Sequence, residues 1–233
     1  MNNCLLIKST LMSTVLIIGA SRGIGFALAQ TYRAAGWRVI ATVRNSADME
    51  KLSAIGATPL PLDVNNLNDC AALGWRLDDE KIDVAILNAG TLGTRTENLT
   101  APGVEEFNLV MQTNVLAAMR LLPMIAPIVQ NSNGKLAVIS SEMGSLSMRS
   151  GSHAWLYRAS KAALNSVLLD VAQNFPNMVS IAMHPGWVRT TMGGDNAPLS
   201  VEQSAAGIRA TIAARVAQDN GQFYNYDGTA LSW

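Results

Sequence analysis

Charged residues are scarce in this chain, and neither sign is in excess. Lys and Arg together number 17, as do Asp and Glu, and charged residues make up 15% of the 233 residues. Nucleic-acid-binding surfaces are usually basic, so a net charge of zero argues against a nucleic-acid partner. Hydrophobic residues make up 49%, which is typical of a globular chain with a buried sheet or a subunit interface. The length suits one domain.

Cysteines and long apolar runs are also scarce. Cys4 and Cys70 lie in unrelated contexts without metal-like spacing, so we expect free thiols in a reducing compartment. No uninterrupted apolar run reaches the roughly 20 residues that span a bilayer, which predicts no membrane partner. Met1–Leu11 has too short an apolar part for a signal peptide. We expect it to be a poorly ordered extension before a domain spanning 12–233, with a cytoplasmic location by default.

Short apolar runs alternate with helical patterns along the chain. Such runs are typical of parallel strands covered on both faces, and the helical patterns end at Gly or before Pro. The alternation predicts right-handed βαβ units and an α/β fold, a single-domain Rossmann-type doubly wound parallel sheet with helices on both faces. The predicted strands are 15–18, 38–43, 59–62, 83–87, 136–139, 179–183 and 222–226. The predicted helices are 24–35, 49–55, 67–77, 104–130 (bent near Pro123 and Pro127), 157–174 and 201–217.

A glycine-rich loop follows the first predicted strand. Glycines there permit a tight turn and close backbone approach, and the next helix would direct its N–H groups at a pyrophosphate. An ordinary glycine-rich turn is the alternative, but the position between a strand and a helix favours dinucleotide binding. The loop residues assigned to the cofactor are Gly19, Ser21, Arg22, Gly23, Ile24 and Gly25.

The end of the second strand bears on the choice of cofactor. An acidic residue there would hold a ribose 2′-hydroxyl, whereas Arg suits a 2′-phosphate. The chain has Arg44 and no acid until Asp48, and Arg22 lies in the glycine loop. This pattern predicts NADP(H) in preference to NAD(H). Arg44 as an ordinary solvated loop residue is the alternative.

Tyr157 and Lys161 open a predicted helix at a spacing that places both on one face. A nearby ammonium favours the phenolate and lowers the pKa of a tyrosine, which could then exchange a proton with a carbonyl or alcohol oxygen. Ser140 and Ser141 end the preceding strand, where a hydroxyl could bind the substrate oxygen. Alternation along the strand favours Ser141, although both serines as simple loop caps is the alternative.

These motifs, in this order, resemble those of the short-chain dehydrogenases/reductases over residues 12–233. The chain looks most like the small carbonyl reductases of the C-factor and sniffer type, also in its segments 183–194 and 223–228. The resemblance implies that Tyr157 is the general acid/base and that Lys161 lowers its pKa and holds the nicotinamide ribose. It implies that Ser141 orients the substrate carbonyl and that Asn114 supports a proton-relaying water.

The resemblance also implies further contacts and an assembly. It assigns Asp63 and Val64 to the adenine, and it implies a homodimer or homotetramer through the helices at 104–130 and 157–174. The stretch from Ser141 to Tyr157 is about three residues longer than in many members, and the lid after Thr190 should be small. The remaining cofactor residues are Asn88, Ala89, Gly90, Pro185, Gly186, Val188 and Thr190.

The sequence leaves the substrate open. Glu142, Met143, His153 and Trp187 flank the inferred pocket and are candidate substrate contacts, with packing as the alternative. Neither histidine has ligand-like spacing, so we expect no metal. We predict an NADP(H)-dependent oxidoreductase that interconverts a small carbonyl compound and its alcohol. The alternative is a dinucleotide-binding regulatory protein with little or no turnover; an epimerase would need a longer C-terminal part.

Overall fold

One eight-stranded sheet organises the computed structural model, which describes residues 12–233. The strand order is β3-β2-β1-β4-β5-β6-β7-β8; all neighbours are parallel except β7 and β8. The predicted extension Met1–Leu11, with Cys4, lies outside the described residues, whereas Cys70 is a buried free thiol. The strands are β1 (Thr14–Ile18), β2 (Arg38–Val43), β3 (Thr58–Pro61), β4 (Val84–Leu87), β5 (Lys135–Ile139), β6 (Val179–His184), β7 (Gln222–Asn225) and β8 (Ala230–Leu231).

Within residues 12–233, seven α-helices connect these strands, and several of their ends follow local capping signals. The Asn45 side chain accepts the N–H of Asp48, so the second helix begins three residues before the predicted start, and the Asn66 side chain caps the third. Ser200 and Gln203 form a capping box at the last helix. The helices are α1 (Gly23–Ala34), α2 (Ser46–Ala54), α3 (Leu67–Leu77), α4 (Val104–Met111), α5 (Ala117–Asn131), α6 (Trp155–Asn174) and α7 (Val201–Ala214).

The helices cover both faces of the sheet, which confirms the predicted doubly wound α/β fold. On one face Leu73 of α3, Leu121 of α5 and Leu164 of α6 pack against the sheet. On the other face Leu28 of α1 and Ile208 of α7 do the same, beside α2. Since both faces are covered, the central strands are buried and mostly apolar, as the sequence indicated.

The long stretch from α4 to α5 differs from the prediction in one respect. The α-helical geometry is interrupted by a π-helical turn at Gln112–Leu116. We expected a bend near Pro123 and Pro127, but both prolines lie inside α5 and are exposed. Val104–Asn131 is also long and apolar enough to cross a membrane by length and composition, which a count of uninterrupted apolar residues overlooked. Half of its most apolar window is buried in the domain.

The sheet ends in short or unusual strands at its two edges. β8 has only two residues, too few to show a periodicity, and the sequence did not predict it. At the edge opposite β8, β3 contains Pro59 and Pro61.

Two short 3₁₀ turns, Glu142–Gly144 and Ala217–Asp219, were not predicted from the sequence. Helix α7 ends at Ala214, before its predicted end at residue 217, where the second turn begins.

Helix α3 offers a matched test of the core. Leu73 is fully buried beneath the sheet, whereas Leu67, in the same helix, is 62% exposed. Leu73→Ala should lower the free energy of unfolding by about 2–5 kcal/mol, because it leaves a cavity. Leu67→Ala should change it by less than about 0.5 kcal/mol. Urea denaturation of both variants checks this; equal losses would contradict the described packing.

Candidate active site

A cavity of about 680 Å³ opens at the carboxyl ends of the parallel strands. Ligands of such sheets bind at this end, where the strand order reverses between β1 and β4. Most of the predicted cofactor residues line the cavity: Gly19, Ser21, Arg22, Gly23, Ile24, Arg44, Asp63, Val64, Asn88, Ala89, Gly90, Tyr157, Lys161, Pro185 and Thr190. Gly25, Gly186 and Val188 do not line it.

The glycine loop is held tightly against the segment after β4. Gly19 has φ +87°, and a Cβ there would lie 2.9 Å from the backbone N and Cα of Ala89. The Gly19 N–H donates to Thr42 Oγ1 at 3.0 Å, and Asn88 Nδ2 donates to the Gly19 carbonyl at 2.6 Å. The loop conformation therefore requires glycine and an asparagine partner.

The three assigned residues outside the cavity lining have packing roles instead. A Cβ at Gly25 would collide with the Gly19 carbonyl oxygen, so this glycine lets α1 pack closely on the loop. A Cβ at Gly186 would collide with Leu199 and Tyr226. Val188 is buried and forms a β-bridge with Leu199. These residues pack behind the residues that line the cavity. Their spacing along the sequence could not show this packing.

Two arginines lie at the end of the cavity formed by the glycine loop and β2. Arg22 and Arg44 are exposed and line it. The nearest acid along the chain, Asp48, is engaged by Lys51 at 2.9 Å and by the Asn45 amide at 2.8 Å. The Lys51 hydrogen bond lowers the pKa of Asp48, and the Asn45 amide and the charge of Arg22 contribute. This end of the cavity therefore presents positive charge.

Tyr157 and Lys161 lie one turn apart on α6 and are both buried. Lys161 Nζ lies 5.6 Å from the centroid of the Tyr157 ring and donates to the Ile139 carbonyl at 2.8 Å. Burial raises the pKa of Tyr157 to about 12 and lowers that of Lys161 to about 8. The pKa of Tyr157 therefore lies above its ordinary value and not below it as we expected, because burial disfavours the phenolate.

The two serines after β5 point in different directions. Ser140 Oγ donates to Asn165 Oδ1 at 2.5 Å, and Ser140 is among the residues that line the cavity, whereas Ser141 is not. Ser141 Oγ accepts the Met143 N–H at 3.1 Å, and its hydrogen bonding to Tyr157 opposes the rise in the tyrosine pKa. Ser141 therefore lies beside Tyr157, and its role towards a substrate stays a prediction.

Asn114 lies in the π-helical turn and is buried. Its Nδ2 donates to the Thr91 carbonyl at 2.8 Å and to Ser160 Oγ at 2.9 Å, and its Oδ1 accepts the Thr91 N–H. A Cβ at Gly90 would lie 3.3 Å from Asn114 Oδ1 and 3.4 Å from Lys161 Nζ. Asn114 and Lys161 thus face the same glycine from two sides.

None of the four candidate substrate residues lines the cavity. Glu142 is exposed, with its carboxylate 3.7 Å from His184 Nε2, and Met143 is half-buried. Trp187 is 54% exposed and donates to the Gly193 carbonyl, and His153 is exposed. Within residues 12–233, no group of three or more His, Cys, Asp or Glu side chains could hold a metal ion.

Sequence reasoning missed several lining residues that neighbour predicted ones. Asn65 follows Val64, Thr113 precedes Asn114, and the Asn65 amide donates to Thr113 Oγ1 at 3.0 Å. Met192 also lines the cavity, and its carbonyl accepts a hydrogen bond from Arg95 at 2.5 Å. No sequence signal marks the Arg95 contact, because the partners are far apart along the chain.

Comparison with known protein families gives a match over most of the chain. The sequence model of the short chain dehydrogenase family matches residues 13–198. The 1-hydroxy-2-glutathionyl-2-methyl-3-butene dehydrogenase of Rhodococcus sp. (strain AD45) is 30% identical, covering 95% of this chain and 100% of that protein. The C-signal protein of Myxococcus xanthus is 32% identical over 158 residues, covering 65% and 93%.

Solved structures give the same picture. A carbonyl reductase from Pseudomonas aeruginosa PAO1 in complex with NADP is 36% identical with a TM-score of 0.85. The carbonyl reductase Sniffer of D. melanogaster is 28% identical with a TM-score of 0.86. Each comparison covers 95% of this chain and 100% of the other. These similarities confirm the predicted resemblance to the C-factor and sniffer type.

The lowered pKa of Lys161 predicts a pH dependence of stability. Between about pH 8 and its ordinary pKa of 10.5, the unfolded state binds more protons than the folded state, so stability rises with pH there. Lys161→Met should be more stable than the wild type below pH 8, and this advantage should shrink on the order of 3 kcal/mol towards pH 10.5.

Urea denaturation of both proteins across this pH range measures the difference. Lys81→Met, at an exposed lysine, is the control and should show no such trend. An advantage of Lys161→Met that stays constant with pH would contradict the assigned pKa.

Proposed function

Because the chain belongs to the short-chain dehydrogenase family, it is an oxidoreductase acting on CH–OH or C=O groups, and we propose that it is an NADP(H)-dependent carbonyl reductase. The observation that carries this proposal is the convergence of Ser141, Tyr157 and Lys161 beside a cavity that begins at a glycine loop. Asn114 is also present and buried. A regulatory protein without turnover would have no need for this set, so the enzyme is favoured.

The cavity suits a nicotinamide dinucleotide. Its volume of about 680 Å³ lies within the range of about 300–1,000 Å³ that is typical of ligand sites. Helix α1 begins at Gly23 in the cavity lining, so its first N–H groups could bind a pyrophosphate. Arg22 and Arg44 would hold a 2′-phosphate with charge-assisted hydrogen bonds, and a Pseudomonas relative of this fold was solved with NADP. Asp63 and Val64 would contact the adenine.

The chemistry of the bound cofactor is hydride transfer to or from its nicotinamide ring. With a pKa of about 12, the Tyr157 hydroxyl stays protonated at neutral pH and can donate to the oxygen of a carbonyl substrate. Ser141 lies beside Tyr157 and would bind the same oxygen, holding it in line with the proton. This protonation state favours reduction.

Lys161 would stabilise the phenolate that Tyr157 becomes after it has given up its proton. Its Nζ is fixed by the Ile139 carbonyl, and two donor positions remain for a ribose hydroxyl or a water. Asn114 faces it across Gly90, and we propose that the two hold the water that returns a proton to Tyr157.

We also propose that residues 12–233 act as one domain in a homodimer or homotetramer in the cytoplasm. The helical face at α4 and α5 exposes several large apolar side chains, and α5 packs beside α6. A second copy would cover that face. The exposed side chains are Val104, Phe107, Leu109 and Met119.

Tyr157→Phe tests the proposed chemistry. It removes only the transferable proton, so kcat for NADPH-dependent reduction of an aldehyde panel should fall at least about 100-fold. NADPH affinity, measured by fluorescence titration, should stay within about three-fold. Tyr226→Phe, at a tyrosine outside the cavity, is the control. Near-normal turnover of the Tyr157 variant would overturn the mechanism.

Arg44→Asp tests the proposed cofactor preference. The change replaces a forked cation with a carboxylate that repels a 2′-phosphate and can accept from a 2′-hydroxyl. NADPH affinity should fall at least about ten-fold, with little loss for NADH. Arg76→Asp, on the exposed side of α3, should change neither. Equal losses for both cofactors would exclude Arg44 as the 2′-phosphate residue.

A further inference from the structure

A second cavity, of about 280 Å³, lies at the opposite end of the sheet from the candidate active site. It opens where β4 and β5 begin, whereas the first cavity lies where the parallel strands end, and the two share no lining residue. Helix α1 contributes one wall and the C-terminal end of α7 the other. Its volume lies just below the range of about 300–1,000 Å³ for drug-sized ligands, so it suits a molecule of one ring.

One wall of this cavity is aromatic. The rings of Tyr32 and Trp37 meet edge to face, with centroids 5.1 Å apart and planes at 71°. Tyr32 is buried, and Trp37 is partly exposed. The exposed part of the Trp37 ring, held by the buried Tyr32, offers a rigid apolar surface to a planar ring, with little loss of side-chain entropy on binding.

Helix α7 places a positive charge next to the aromatic pair. The Arg209 guanidinium lies 5.7 Å from the Tyr32 ring centroid, and its Nε is buried without a hydrogen-bond partner in the part of the chain described. Arg209 takes part in none of the ion pairs formed among residues 12–233. Residues 1–11 contain no Asp or Glu that could supply a side-chain carboxylate. The positive charge of Arg209 therefore lacks a counter-ion where it lines the cavity.

Lys135 adds a second cation to the lining; burial and Arg215 lower its pKa, and the charge of Asp219, which is not in the lining, opposes them. Lys135 Nζ donates to the carbonyls of Ile212 and Ala213 at the end of α7, and an ammonium has a third donor. The one carboxylate in the lining, Asp83, accepts the Thr14 N–H at 2.8 Å and lies 3.3 Å from Lys81. Its charge is thus already matched by contacts outside the cavity.

We propose that this second cavity binds a small aromatic carboxylate. The ring would lie against Tyr32 and Trp37, and the carboxylate would accept hydrogen bonds from the Arg209 guanidinium and the Lys135 ammonium. Arg is suited to this geometry because its planar fork matches the two oxygens of a carboxylate. The site is independent of the cofactor cavity and of the proposed reaction.

Benzoate is the simplest probe, and benzamide is its neutral counterpart. Calorimetric titration of the full-length protein, with and without saturating NADPH, should show benzoate binding at least about ten-fold tighter than benzamide, since a charge-assisted hydrogen bond is worth at least that factor. NADPH should not displace it. Arg209→Gln should weaken benzoate binding by about ten-fold or more, while Arg76→Gln, far from the cavity, should leave it unchanged.

A second variant separates a lost charge from a disturbed fold. Ala213 lines the cavity but is exposed, so Ala213→Phe can fill the cavity without entering the core. It should abolish benzoate binding while thermal unfolding and NADPH affinity stay as in the wild type. The proposal is overturned if benzoate does not bind, if benzamide binds equally well, if NADPH displaces benzoate, or if either variant binds benzoate like the wild type. Arg209 would then serve only to stack on Tyr32.

Discussion

The backbone carbonyl of Ile18, the last residue of β1, accepts two N–H groups from the segment after β4: Asn88 at 3.0 Å and Ala89 at 2.9 Å. These bonds join the two strands between which the strand order reverses, and the Asn88 amide adds a third bond to the Gly19 carbonyl. The glycine loop can approach Ala89 this closely only because Gly19 has no side chain. These hydrogen bonds fix where the glycine loop begins the cavity and where α1 starts. They also fix the position of Gly90 beside Lys161.

Burial is the second constraint on the site, and it acts on Tyr157 and Lys161 in the same sense. Each is driven towards its neutral form, so the phenol keeps its proton and the ammonium releases its proton more readily than in water. Ser141 opposes this effect at the tyrosine, and the Ile139 carbonyl fixes the lysine. The protonation states of Tyr157 and Lys161 are thus set by their burial more than by the pairing of the two side chains.

The parts of the fold that repeat a local pattern could be predicted from the sequence. The central strands follow continuous apolar runs, and motifs at their carboxyl ends gave most of the cavity lining. Features that depend on packing could not be predicted. Gly25 and Gly186 belong to the motifs but lie behind the wall, the π-helical turn has no composition signal, and the pKa of Tyr157 depends on burial. The second cavity joins residues from distant parts of the chain, such as Tyr32 and Arg209.

The prolines of the edge strand β3 limit how copies of this chain can associate. The Leu62 N–H donates to the Val43 carbonyl, so alternate residues of this strand direct their N–H groups inward to β2. Pro59 and Pro61 are the residues of β3 whose backbone N–H would point outward, away from β2. Proline has no backbone N–H, so neither residue can donate a hydrogen bond there. A further strand could find almost no donors at this edge, and β8 offers only two residues at the other. The sheet is thus terminated at both ends, and self-association is directed to the helical faces rather than to strand addition of the kind that seeds aggregates.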